Sequence, residues 1–158
     1  MSIDDFKLLM DEFDPASLLP ELDTLIGRVA FVARIAVLIG PVVLLVMGLI
    51  YLFLSPKEAN YYLGYRCYFG MGSEEAWRFT QRLAGIVWAA LGLVLGIVML
   101  VVSGSFGKME TIDLLWRAVS CMLWEVGLTL AAWIAVNTTV TIRYNSKGEL
   151  RKAKAQRT

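Results

Sequence analysis

The polar positions of this chain are crowded into its two ends and one internal segment, and apolar residues fill the stretches between. Ile35 to Leu54 holds 20 residues without a charge, and Leu83 to Phe106 holds 24. A helix needs ~20 such residues to cross ~30 Å of hydrocarbon, so both runs are expected to span a bilayer. A third run from Ala118 to Ile142 is broken only by Glu125, and its remainder from Val126 is 17 residues long. The pattern predicts an all-α integral membrane protein with three transmembrane helices, at about 29–54, 83–106 and 114–142.

The polar ends differ in charge. Residues 1–28 carry seven acids against two bases, and Ile3, Phe6, Met10 and Phe13 recur at helical spacing. An acidic amphipathic leader is predicted there, with Asp14-Pro15 as a break and restart into the first span. Its length and acidity before the first apolar run argue against a cleaved signal peptide. Anionic lipid would repel it, so contact with a partner or with the bundle suits it better than an interfacial anchor. Residues 143–158 form a basic tail with Arg143, Lys147, Arg151, Lys152, Lys154 and Arg157. Loop 55–82 adds Lys57, Arg66, Arg78 and Arg82, whereas Lys7, Arg28, Arg34, Lys108 and Arg117 fall on the other side. Basic residues near span ends are retained in the cytoplasm. The expected topology therefore puts the amino terminus outside and the carboxy terminus in the cytoplasm, in a cell's inner membrane.

Composition agrees with that class: 58% of the 158 residues are hydrophobic and 18% charged, with a mean hydropathy of +0.62. It also narrows the chemistry. There is no histidine, which removes Ser-His pairs, the commonest metal ligand and the usual base near neutral pH. No Asp falls inside a predicted span, and Cys67 and Cys121 are too far apart in sequence for metal-ligand spacing. No catalytic residue, metal site or cofactor is expected, and both thiols are expected to be free. The short tail lacks interleaved aromatic residues, so direct nucleic-acid binding is not expected. Within the spans, Gly92 and Gly96 make a small-xxx-small pair suited to helix packing or to a homo-oligomer, and Pro41 should loosen the first span. Glu125 must be protonated, paired or facing water. Arg34, at the same end of the bundle, is the predicted ion-pair partner, with a role in ligand binding or proton movement as the alternative to a structural one.

The internal polar segment is the most particular part of the chain. Tyr61, Tyr62, Tyr65, Tyr68 and Phe69 surround Arg66, followed by Gly70-Met71-Gly72 and Ser73-Glu74-Glu75-Ala76-Trp77-Arg78. Tyrosines suit a membrane interface on their own account. Ser73 can cap a helix whose first turn holds Glu74 and Glu75.

Gly64, Tyr65, Arg66, Glu75, Trp77, Ala84 and Gly85 together resemble the signature of the SdpI family of bacterial membrane proteins, over Leu63 to about Gly96. Cys67 and Tyr68 depart from that signature, which favours Thr and then Pro. The acidic leader also replaces the longer membrane region of the family's best-known member. The resemblance implies immunity to a secreted membrane-active peptide toxin, or sensing of it by holding a cytoplasmic regulator at the membrane. It makes Gly64, Tyr65, Arg66, Glu75, Trp77 and Arg78 the expected functional loop, with Arg66 pairing a carboxylate such as Glu75. A small accessory subunit of a transporter or other membrane complex is the alternative, and a transporter or enzyme in its own right the third possibility. The lipid bilayer is the one partner common to all three.

Overall fold

A computed structural model describes residues 19–56, 59 and 62–151. Three helices account for most of them: α1 (Leu19–Phe53), α2 (Glu74–Ser103) and α3 (Thr111–Arg143). A single 3-10 turn, Phe106–Lys108, lies between α2 and α3. All three helices are long and apolar enough to cross a membrane. Helices are what such sequences must form, because hydrocarbon offers nothing to an unpaired backbone N–H or C=O. The proposed leader up to residue 18 and the tail beyond Arg151 lie outside the described residues.

The helix ends follow from local chemistry. Ser73, in extended conformation, accepts a hydrogen bond from the Ala76 amide (3.1 Å), and Glu74 and Glu75 occupy the first turn of α2. At the other end, the Ser103 and Ser105 hydroxyls bond back to the Leu100 and Val102 carbonyls. The free Ser103 carbonyl receives two hydrogen bonds from the Arg34 guanidinium of α1, at 3.1 and 3.3 Å. A cation there satisfies an orphan acceptor and complements the negative end of the helix dipole.

α1 and α2 pack as an antiparallel hairpin along a seam of small residues. A Cβ on Gly85 would sit 2.6 Å from Leu52 Cγ and 3.0 Å from the Gly48 carbonyl. One on Gly92 would sit 2.7 Å from the Pro41 carbonyl, and one on Gly48 would be 2.7 Å from Ala89 Cα. Backbone therefore meets backbone, the arrangement that dispersion favours where no hydrophobic effect drives helices together. Of the expected Gly92–Gly96 pair only Gly92 lies in the seam; a Cβ on Gly96 would find just Pro41 Cβ, at 3.8 Å. The closest contacts instead recur through Gly85, Ala89 and Gly92, which share a face at helical spacing.

α3 covers the hairpin more loosely. Ala118, Glu125, Val136 and Val140 are buried along its inner side, while Trp116, Leu123 and Trp124 are exposed, as a lipid-facing surface requires. Near the α2–α3 connection, Val37, Leu95, Phe106 and Leu114 form the main apolar cluster. Two smaller clusters, around Tyr65 and around Tyr144, sit at the opposite end, where the loop after α1 is folded.

Candidate functional site

The chain turns back between α1 and α2 over a loop in which several described polar groups find partners on α2 and α3. Pro56 offers its carbonyl to the Trp77 indole N–H at 2.9 Å, which anchors the outgoing strand of the loop to the first turn of α2. Trp77 is fully buried, and its six-membered ring lies against Gly64. Gly64 has φ +118°, and a Cβ there would come within 2.7 Å of the Trp77 ring. Both conformation and space thus demand glycine at this position.

Tyr65 follows, and Gln81 holds it at both backbone groups. The Tyr65 N–H donates to Gln81 Oε1 and Gln81 Nε2 donates to the Tyr65 carbonyl, each at 2.7 Å. A side-chain amide here replaces the partner strand that an isolated loop lacks, and both groups are buried, where an unmet bond is costly. The Tyr65 ring meets Tyr51 edge-on at 6.0 Å and Trp88 at 6.2 Å, while its hydroxyl accepts from Asn137 Nδ2 of α3 at 3.0 Å. One residue therefore touches all three helices. Burial, with a smaller push from the neighbouring Cys67, drives the Tyr65 hydroxyl up to about 12. Burial likewise raises the Cys67 thiol, against the opposing hydrogen bonds from Gly70, Thr80 and Phe69.

The second half of the loop docks onto the segment after α3. Gly70 and Met71 donate to the Cys67 carbonyl, closing a turn over Thr80. Ser73, besides capping α2, donates to the Gly148 carbonyl at 2.7 Å. Gly148 has φ +74°, and a Cβ on Gly72 would lie 2.5 Å from the Gly148 amide. The turn that presents Gly148 is organised by Asn145, whose side-chain oxygen accepts from the Lys147 and Glu149 amides at 2.9 Å. Tyr144 is buried beneath it, its hydroxyl directed at Glu75 Oε1 (3.5 Å) and its ring against Phe79. Burial and the nearby Glu75 charge raise the Tyr144 hydroxyl above its ordinary value. Arg143 stacks on Phe79, guanidinium carbon to ring centroid 4.3 Å. An open cleft of about 650 Å³ results, walled by Tyr51, Leu52, Phe79, Arg82, Arg143 and Tyr144, with Glu75 and Arg78 at its edge.

Gly64, Tyr65 and Trp77 of the expected functional loop thus form one interlocked unit, and Glu75 borders it through Tyr144. Arg66 is exposed and is not paired with Glu75; the one ion pair among the described residues joins Arg78 to Glu74, one helical turn apart. Glu75 Oε1 instead faces the Tyr144 hydroxyl, and the expected Arg66–Glu75 pair does not form. Nor does the Arg34–Glu125 pair. Arg34 is taken by the Ser103 carbonyl, while Glu125 packs against Gly40, where a Cβ would lie 2.6 Å from Oε2. Gly40 is six residues, ~9 Å, further along α1 than Arg34. Glu125 is 7% exposed, and its Oε1 has no hydrogen-bond partner among the described residues.

Gln81, Asn137, Arg143, Tyr144 and Gly148 take part without having been singled out as site residues. Asn137 is the only side-chain amide in α3, and Asn145 followed by Gly148 is a turn signal, so each leaves a trace in the sequence. Nothing in the spacing shows that Gln81 reaches back to Tyr65. Both cysteines are free thiols.

Residues 57–144 match the model of the SdpI/YfhL protein family. The match runs from the loop, through α2 and α3, to Tyr144, and so contains every hydrogen bond that holds Tyr65. Searches of the curated proteins and of the solved structures return no match.

Proposed function

Because the chain belongs to the SdpI/YfhL protein family, we propose that it gives a bacterial cell immunity to a secreted membrane-active peptide toxin, or senses that toxin. It acts by binding rather than by catalysis, in the inner membrane, with the Tyr65 loop and carboxy terminus facing the cytoplasm. The observation that carries this reading is the loop itself. Gly64, Tyr65, Trp77 and Gln81 are locked together within the family's matched segment, while Arg66 between them is left exposed. A loop held this way around an exposed guanidinium, which takes part in no ion pair among the described residues, is suited to presenting it to a partner. The accessory-subunit alternative has no comparable feature in its favour.

The test is survival of the host with this gene deleted, grown in supernatant from the wild-type culture. Lysis rescued by the native gene, but not by Arg66→Ala at equal membrane abundance, is the expected result. If the deletion strain grows normally in supernatant that kills another sensitive strain, self-protection is wrong, and co-purification with larger membrane subunits becomes the next experiment.

A further inference from the structure

The cleft at the loop end of the bundle carries an unbalanced charge that the loop's architecture does not use. Among the described residues, Arg78, Arg82 and Arg143 line it against a single carboxylate, Glu75. Arg78 is paired to Glu74 on the exposed face of α2, whereas Arg82 takes part in no ion pair among the described residues. The Arg143 guanidinium carbon lies over the Phe79 ring, 4.3 Å from its centroid, and 5.9 Å from that of Tyr144. A guanidinium held over a ring, with one hydrogen bond to the Tyr144 hydroxyl, still has further N–H donors for a planar or tetrahedral oxyanion. Arg78 and Arg82 are one helical turn apart, so they project from the same side of α2.

The surroundings define what sort of anion would fit. Immediately next to the cleft in sequence, Phe53 is 77% exposed, Leu54 64% and Ile142 69%. These residues end α1 and α3, where the hydrocarbon region gives way to headgroups. A cluster of guanidinium groups at headgroup depth, flanked by bare apolar side chains, matches an amphiphile with an anionic head and acyl tails. Guanidinium pairs well with phosphate oxygens, and basic residues beside membrane helices are drawn to anionic lipid.

We propose that this cleft binds the phosphate headgroup of an anionic phospholipid from the adjoining leaflet, with Arg82 and Arg143 as its principal contacts and Phe53 and Ile142 beside its acyl chains. The site does not depend on the immunity reading, and lipid retention and toxin survival are separate measurements.

Full-length protein in a neutral detergent is mixed with equal amounts of phosphatidylglycerol and phosphatidylcholine, and retained lipid is counted by native mass spectrometry. Preferential retention of one phosphatidylglycerol is expected, reduced about tenfold or more in R82Q/R143Q. Glu75→Gln removes the one acid that lines the cleft among the described residues and is expected to increase retention, so the site remains testable if the double variant fails to fold. Equal retention of the two lipids overturns the proposal, as does unchanged phosphatidylglycerol binding in a folded double variant or no gain in Glu75→Gln. Glycerol 1-phosphate, the head without tails, distinguishes the remaining source of phosphate. Complete displacement of the lipid by it at equal concentration would make this a site for a soluble phosphate and overturn the lipid assignment.

Discussion

The loop end of the bundle and its middle solve the same problem in opposite ways. Around Tyr65, buried polar groups are supplied with partners from distant parts of the chain: Gln81 for the backbone, Asn137 for the hydroxyl, Pro56 for the Trp77 indole. Around Glu125 a carboxyl is buried against Gly40 and one oxygen is left without a partner among the described residues. The first arrangement fixes three helices to one loop. The second costs stability, which packing elsewhere in the bundle has to offset. One gap remains beside Tyr65, where the Trp88 indole N–H is buried without a partner among the described residues; the matched groups are suited to holding a rigid surface, and an unpaired buried carboxyl is a group whose environment can change.

The most damaging way to break this contrast is to open the seam that both regions rely on. Gly92→Val would drive side-chain carbons into the Pro41 carbonyl, and neither backbone can yield without parting the helices. A loss of about 3 kcal/mol or more is expected, read as failure to accumulate in the membrane or a collapse of the unfolding temperature. Next comes the loop. Gln81→Leu keeps volume but strips the Tyr65 amide and carbonyl of their partners, for an expected loss of about 2–4 kcal/mol, with faster hydrogen exchange confined to the loop. Stability equal to the native protein would show that the clamp is dispensable.

The middle of the bundle should respond in the reverse direction. Glu125→Leu replaces an unpaired buried carboxyl with an apolar group and is expected to stabilise the protein by about 1–2 kcal/mol in thermal unfolding. Destabilisation instead would mean that the carboxyl has a partner in the membrane and that the two regions are alike.

The smallest effect is a pH dependence. The Tyr65 hydroxyl is raised from 10.0 to about 12 by burial, so the folded state holds that proton more tightly than the unfolded one. Its contribution is complete below pH 10 and is lost as the pH rises from there toward 12. Ultraviolet titration of tyrosinate should show a late step that disappears in Tyr65→Phe. A native profile without a late step, from which Tyr65→Phe removes a step near 10, would place this hydroxyl in water.

Much of this was legible in the residues. The three apolar runs announce three helices, Ser73 reads as a cap before two acids, and Gly64-Tyr65-Arg66 with Trp77 is specific enough to suggest the family to which the chain belongs. The ion pairs were not legible. Arg34 and Glu125 carry opposite charges in two neighbouring spans, but Arg34 binds a helix-end carbonyl that hydropathy cannot display, and Glu125 lies about two turns away against Gly40. Glycine spacing was similarly incomplete: Gly92–Gly96 satisfies the pattern, yet which face meets α1 depends on the rotation of α2, and that brings Gly85 and Gly92 to the seam instead.

What the sequence by itself determined is therefore the set of properties that depend on near neighbours: residence in the membrane, helix number, capping, and a family signature. Only the tertiary structure decided which polar groups meet. Gln81 reaches Tyr65 across 16 residues, Asn137 reaches it across 72, and Ser73 reaches Gly148 across 75. Each bond needs atoms placed within ~3 Å, whereas a helix rotated by one residue turns its side chains through ~100°, and no linear pattern specifies that rotation.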